Sequence, residues 1–482
     1  MEWLGRFPIK QGTIGEETGY DRNFGVAFAI GFVVSYSEIN SPTPAAMIRP
    51  SLARLVLFAS FFFGTGLVHG QDADAKAKAF AEQIRAGKLL CPLDPLGQIP
   101  SVWGLTPDAL DKTYAVPPGV TNSEKNPYFS WMTKSRDRAV FMKQPFSNLK
   151  VDLSLFEGTL PLEEVIVDFA NGKLNGITFS IFNRGDSGEI EAAEFQRRFK
   201  VCGQKMGEML KISPTAKKAN PTQGLLSEGY TWISQFGMAT LEHNPEAMKG
   251  KPEFLRLKIA PRDAKGAFAA AFQERSAAVK LSDLPKNVSK AADGDVFIKG
   301  IPMVDQGPKG YCVVASVQRL FEYYGIPADQ HQIAQVAGSD AQSGTSSLAI
   351  SQALGKLDYR FKTRFKILGM DSMMGGLVEV DERKMTVGKR VDRDKFVSNV
   401  KTYIDDGVPL LWGLTLGRYP EEPAIAMQAG GGHMRMIIGY NDKTGRLIFT
   451  DSWGAGHEMK RMKYDDAYSA TSGLFAMFPT VK

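Results

Sequence analysis

The chain has 482 residues, 43% apolar, 23% charged and 10% aromatic, a globular composition that excludes wholesale disorder and a polytopic membrane protein. Its net charge of +6 is mild for the length, and short basic clusters such as Lys460, Arg461 and Lys463 read as a solvated face, so no nucleic-acid partner is expected. Three cysteines, Cys91, Cys202 and Cys312, are too few for a disulfide scaffold and lack the CxxC spacing of a structural zinc site, so neither metal nor cofactor is expected; a Cys91–Cys202 bridge stays open and would leave Cys312 as the odd free thiol.

Residues 47–75, MIRPSLARLVLFASFFFGTGLVHGQDADA, read as a secretory signal. Arg49 and Arg54 supply the basic region, Leu55 to Val68 the apolar one, and cleavage falls after Gly70 or after the Ala73–Asp74–Ala75 triplet. The apolar run is short and interrupted by glycine, where a membrane span needs about 20 apolar residues. A signal belongs at an N-terminus, so Met47 is read as the start and residues 1–46 as an upstream over-extension or disordered segment. The rival reading keeps residues 1–46 and makes 52–68 an anchor. Both readings have the chain exported, to the periplasm, the cell envelope or beyond, and the first leaves no stable span after cleavage.

Residues 80–281 read as an α+β accessory domain. Glu164 to Ala170 and Leu174 to Phe182 alternate as strands around Asn171–Gly172, a strong two-residue hairpin signal. Asp186 with Glu189 three residues on offers a helix start, and the apolar stripe Phe195, Phe199, Cys202, Met206, Met209 carries that helix to about Leu210. The same NRGDSGE segment lacks the ligands of a twelve-residue calcium loop. Strands over Tyr230 to Leu241 and Phe254 to Ile259 follow, then an alanine-rich helix over Ala264 to Val279. Nothing in this half converges on chemistry: it is a binding, inhibitory or spacer module. The polar stretch 282–294, with Pro285 and Gly294, reads as a linker.

The last third, 295–482, holds the chemistry. In DQGPKGYCVVASVQRLFEYYG, the apolar positions Val313, Val317, Leu320, Phe321 and Tyr324 have helical spacing, closed by Gly325 and Pro327. Cys312 falls in the first turn, where unpaired N–H groups and the helix dipole favour a thiolate. By itself such a cysteine is as readily a small apolar filler. A nucleophile also needs a base, an orienter for the base and oxyanion donors. Of five histidines, His69 falls in the signal, His243 in the accessory domain and His331 in a polar helical segment, leaving His433 and His457. His433 follows three glycines and opens the buried strand HMRMIIGY. GRLIFTDSWG is a second strand, returning through Asp442–Gly445, so Asp451 near its end can approach His433 and fix its tautomer, with Trp453 covering the bond. Gln306, six residues before Cys312, offers a side-chain amide to an oxyanion beside the Cys312 N–H.

This order of Gln, Cys at a helix start, GGHMRMIIGYN and DSWG resembles the papain-like cysteine peptidases over residues 295–482. The final aspartate, GIPMVDQGPKGYC and SGTSSLAISQALGKL (343–357) are similar to the double-glycine, bacteriocin-processing leader peptidase branch. The resemblance implies an α+β fold, with a helical half led by the Cys312 helix and an antiparallel sheet carrying His433 and Asp451. It also implies roles: Cys312 as nucleophile, His433 as general base then acid, Asp451 as orienter and Gln306 as oxyanion donor. Val313 departs from the residues usual after the cysteine, and no transporter region is attached, so a leader-peptide substrate does not follow. The partner expected is a peptide or protein substrate, with the accessory domain either binding it or covering the site. Two alternatives stay open: a catalytically inactive binding module, and a cell-wall peptide amidase or transpeptidase using the same residues.

Overall fold

Asn171 and Gly172 both adopt positive φ, 52° and 72°, and turn the chain between antiparallel strands Glu164–Ala170 and Lys173–Asn183, as that dipeptide dictates. The computed structural model describes residues 65–118, 125–143, 149–219, 226–265, 279–307, 310–328, 330–337, 347–372, 375–384, 386–425 and 431–481. Helix and sheet are mixed throughout, and contacts gather Phe63–Lys482 into one compact unit.

The hairpin lies inside a sheet ordered Ser130–Trp131, Arg138–Met142, Glu164–Ala170, Lys173–Asn183, Phe254–Ala260, Gly237–His243, Glu228–Ser234 and Thr215–Lys217. Alternation along each strand gives it two faces. Val165, Val167, Phe179, Leu255 and Leu257 bury on one, against Phe195, Cys202, Met206 and Leu210 of the helix Ala192–Leu210. The other face carries Arg138, Val140, Met142 and Ile166 and meets the C-terminal half.

The structure redraws several elements. The Cys202 helix begins at Ala192, not Asp186: Asn183 caps a separate short turn, Arg184–Ser187, and spends the capping chemistry there. The stretch read as one strand from Tyr230 is a hairpin, Glu228–Ser234 and Gly237–His243, turned where Ser234 Oγ accepts from the Phe236 N–H. Most of the expected alanine-rich helix lies outside the described residues. So do residues 1–64, which hold the upstream segment and most of the expected signal. Thr65–Arg85 is a single helix running through both expected cleavage positions. Among the described residues no helix is long and apolar enough to cross a membrane.

The polar stretch 282–294 does not hang between two bodies. Leu281–Asn287 is a 3₁₀ helix that buries Leu284 in the C-terminal core, and Val288–Lys290 pairs with Asp295–Ile298. One apolar side chain in a polar context anchors it, which composition alone conceals. From there the C-terminal sheet runs Val288–Lys290, Asp295–Ile298, Gly431–Asn441, Leu410–Leu416, Thr471–Pro479, Thr363–Asp371, Leu377–Val380 and Val387–Arg390, every pairing antiparallel. Arg446–Thr450 also pairs with the strand Gly431–Asn441, with Lys460–Lys463 beyond it.

The helix Cys312–Tyr323 is buried on almost every side, from Val313 through Phe321. A helix covered all round sits inside a protein, and this one packs on the strand Gly431–Asn441, where Ser316 Oγ donates to the Met434 carbonyl at 3.3 Å. Tyr323 and Tyr324 tie its far end to the carbonyls of Gly407 and Met477 at 2.9 and 2.6 Å.

Gly407 sits at φ 72° with its Cβ position 2.2 Å from the Leu284 carbonyl oxygen. Gly407→Ala is therefore expected to lower stability by roughly 1–3 kcal/mol through forced displacement of the Leu284 turn, read as a lower unfolding midpoint and faster proteolysis within 282–294.

Candidate active site

Cys312 is the first residue of its helix, following Tyr311, and its N–H belongs to the first turn, whose amides lack intrahelical partners. His433 lies near the start of the strand Gly431–Asn441, opposite Leu414 of the neighbouring strand. Asp451 follows directly on Arg446–Thr450, whose register sets Thr450 against Met436. The antiparallel return through the Asp442–Gly445 turn thus brings Asp451 beside His433, as the spacing predicts.

The contacts are direct. His433 Nε2 and Asp451 Oδ1 are 2.6 Å apart, with the Asp451 side chain wholly buried. Burial by itself would raise the Asp451 carboxyl, but the hydrogen bond and charge of His433, the Arg435 charge and the Ser452 N–H hold it at about 2. It is therefore ionised and can only accept, so Nε2 carries the proton of this bond. Nδ1 is the ring nitrogen left for Cys312, with which His433 is hydrogen-bonded. Burial would lower the His433 pKa; the bonds to Asp451 and Cys312 and their charges carry it instead to about 9. Burial would likewise raise the Cys312 thiol, yet the bond and charge of His433, with the N–H groups of Met434 and Val313, bring it below its ordinary value. Both shifts favour a thiolate–imidazolium pair.

Trp453 stacks on His433 with centroids 4.7 Å apart and planes at 29°, so it covers the ring as expected. Gln306 is buried and tied to the same turn: its N–H donates to the Ser452 carbonyl at 3.0 Å, and its side-chain oxygen accepts from Ser452 Oγ at 2.8 Å. His457 serves through its main chain, its carbonyl accepting from the Asp451 N–H at 3.0 Å and from Thr450 Oγ1 at 3.2 Å, while its ring meets the Trp453 edge. His243 is buried in the N-terminal sheet, bonded to the Asn244 carbonyl at 2.8 Å. The side chains of His69 and His331 lie outside the described residues, as does the loop before Ser347–Leu357.

Behind Asp451 stands a set of buried charges that sequence reasoning missed. Arg435 Nε donates to Asp451 Oδ2 at 2.7 Å, and its other nitrogens reach Glu421 at 2.5 and 3.3 Å. Glu421 also pairs with Lys460, and none of these four side chains exceeds 3% exposure, so Lys460 does not belong to the solvated basic face expected of it: it is buried against a carboxylate. Arg319, two turns along the Cys312 helix, donates to the Asp451 carbonyl at 2.8 Å, to Thr450 Oγ1 at 2.6 Å and to the Pro302 carbonyl at 2.7 Å. The readable signal was Arg435 itself: a lone cation in an apolar strand, two residues from His433 and so on its face. Among the described residues no cluster of potential ligands could hold a metal ion.

A cysteine at a helix start, a strand histidine bonded to it and a buried aspartate behind that histidine make the arrangement of a cysteine-type peptidase. Residues 298–475, which contain all four of Gln306, Cys312, His433 and Asp451, match the model of the Peptidase_C39 like family. That match supports a papain-like cysteine peptidase over this region, without singling out the double-glycine branch. No curated protein matches the chain. Among solved structures, xylellain, a cysteine protease from Xylella fastidiosa, is similar at 15% identity over 41% of this chain and 89% of that chain, with a TM-score of 0.25. A likeness so distant carries no part of the argument.

Cys91, Cys202 and Cys312 are free thiols, so no Cys91–Cys202 bridge forms, and Cys91 and Cys202 are fully buried. Burial pushes Cys91 up to about 12 and raises Cys202 as well. Iodoacetamide at pH ~6, where an ordinary thiol of pKa ~8.5 is protonated, should label Cys312 and spare the other two in the folded protein, as read by peptide mass mapping.

Arg435→Met leaves Asp451 and Glu421 buried without their shared cation. It should cost roughly 3–5 kcal/mol, seen as a lowered unfolding midpoint.

Proposed function

We propose that this chain is an exported cysteine peptidase that cleaves peptide bonds through a Cys312 thioester. The observation that carries the reading is the His433 ring, bonded on one side to Cys312 and on the other to buried Asp451 at 2.6 Å. Cys312 Sγ attacks the peptide carbonyl, forming the C–S bond. His433, protonated in the ion pair, hands its proton to the amine as the C–N bond breaks. Water then attacks the thioester, giving a proton to His433, and the acid leaves as the C–S bond breaks. The Cys312 N–H and the Gln306 amide donate to the oxyanion in both steps.

Export rests on the signal-like stretch 47–75, the double-glycine branch on the similarity of GIPMVDQGPKGYC and SGTSSLAISQALGKL, and an accessory role for 80–281 on its separate hydrophobic core. The test is Cys312→Ala against the parent protein on a peptide library and on purified peptidoglycan. Cys312-dependent hydrolysis of linear peptides is the expected result. Products from peptidoglycan alone would favour the amidase or transpeptidase, and no product from either would leave a binding module.

The pH profile follows from the pair. Activity should rise as Cys312 deprotonates, below the range of a free thiol, and fall as pH climbs through about 9, where His433 loses its proton. Because Asp451 holds that proton on, Asp451→Asn should draw the alkaline limb down toward the free imidazole value of about 6.5, measured as kcat/KM against pH.

A further inference from the structure

The segment carrying Gln306 rests on both halves of the chain. Met303 buries in a small cluster with Met132 and Val140, with Met142 and Ile166 packed against it, all four from the N-terminal half. Its carbonyl accepts from Arg138 Nη1 at 2.9 Å. The same guanidinium pairs with Asp168 of its own sheet at 2.6 Å and with Glu322 of the Cys312 helix at 2.9 Å. Farther along the segment, a Cβ on Gly307 would meet the Met142 sulfur at 3.3 Å. Tyr311, immediately before Cys312, presses its hydroxyl on Gly185 so closely that a Cβ there would lie 2.1 Å away. On its other side the segment is held by the two Gln306 bonds to Ser452.

One arginine thus spans the segment that bears the amide donor, the helix that bears the thiol and the N-terminal sheet. Three bonds from a planar fork fix relative position in a way a flexible ammonium cannot. These contacts reach the Gln306 segment at Met303 and the Cys312 helix at Glu322, near its far end.

We propose that Arg138 is a positioning residue, through which residues 80–281 shape the Met303–Gly307 segment and set Gln306 for the oxyanion, so that the N-terminal half is a fixed part of the active site rather than a removable inhibitor. This rests on the peptidase reading above.

The test separates two reactions of the same thiolate. Iodoacetamide alkylates Cys312 by displacement of iodide at carbon, with no oxyanion. p-Nitrophenyl acetate acylates it: the S–C bond forms, the C–O bond breaks, p-nitrophenolate leaves, and an oxyanion is passed on the way. In the full chain, Arg138→Lys should slow acylation by up to about 100-fold while leaving alkylation at pH ~6 unchanged. Gln306→Ala should do the same, and the double variant should be no slower than Gln306→Ala alone. Unchanged or faster acylation in Arg138→Lys, or a further loss in the double variant, overturns the proposal. Should Arg138→Lys lose both reactions together, Met142→Ala, which leaves every ion pair intact, decides by the same ratio. If its acylation falls selectively the proposal holds, and if not it is overturned. A parent protein whose Cys312 is neither alkylated fast nor acylated sinks the peptidase reading and the proposal with it. Fast acylation of the parent with an indifferent Arg138→Lys overturns the proposal alone.

Discussion

Asp451 must remain ionised with no part of its side chain in water, and much of the C-terminal half is arranged around that requirement. A buried carboxylate without partners would take up a proton, and a neutral acid could not hold the His433 proton in place. The site meets the demand with a cation on each oxygen, His433 on Oδ1 and Arg435 on Oδ2, and with the Ser452 N–H at 2.9 Å from Oδ1. Arg319 reaches the same residue at its main-chain carbonyl. Two arginines fully buried in one half of a protein are costly to desolvate. Each is worth that cost here because its fork is filled by acceptors on several segments at once.

Within the ion-paired set Asp451 and Glu421 face Arg435 and Lys460, two against two, while the Arg319 cation beside them is received by neutral oxygens of Pro302, Thr450 and Asp451. Moving the Cys312 proton to His433 adds one negative and one positive charge side by side, so the pair forms without an external counter-ion. The dry surroundings then help rather than hinder, since an ion pair is stronger at low dielectric. Trp453 contributes twice, stacking on His433 and lying 5.6 Å from the Arg435 guanidinium carbon. Phe449 sits under the same cation at 4.7 Å.

What could be read from the sequence was what local pattern encodes. The Asn171–Gly172 hairpin, the helix beginning at Cys312 and the two strands that deliver His433 and Asp451 all follow from spacing of apolar residues and turn chemistry over a dozen residues or fewer. The start of the Cys202 helix was misplaced because two capping residues, Asn183 and Asp186, compete within one turn and only backbone geometry decides between them. The polar stretch 282–294 looked like a linker because a single buried Leu284 outweighs its neighbours. Arg138, Arg319 and Glu421 escaped altogether, and Lys460 was read as solvated although it is buried on Glu421. Each acts on partners far away in the chain, Arg138 on Glu322 and Arg319 on Thr450, and a charged residue on a strand or helix reads as solvated until the fold shows what covers it.

The turn Asp451–Ser452 joins the two halves of the proposed chemistry. Asp451 Oδ1 accepts from His433 and from the Ser452 N–H, while Ser452 gives its carbonyl to the Gln306 N–H and its hydroxyl to the Gln306 side-chain oxygen. Two adjacent residues therefore hold both the proposed base and the proposed oxyanion donor. A shift of that turn would misplace both together, and this explains why it is pinned from so many directions: Arg319 from the Cys312 helix, the His457 carbonyl from the following loop, and Arg435 from the neighbouring strand. The Met303–Gly307 segment completes the arrangement from outside, with Ser452 on one side of it and the N-terminal sheet on the other. Precision at Cys312 thus comes from a buried carboxylate held on both oxygens, a turn built around it, and a second sheet that holds the Met303–Gly307 segment together with Ser452.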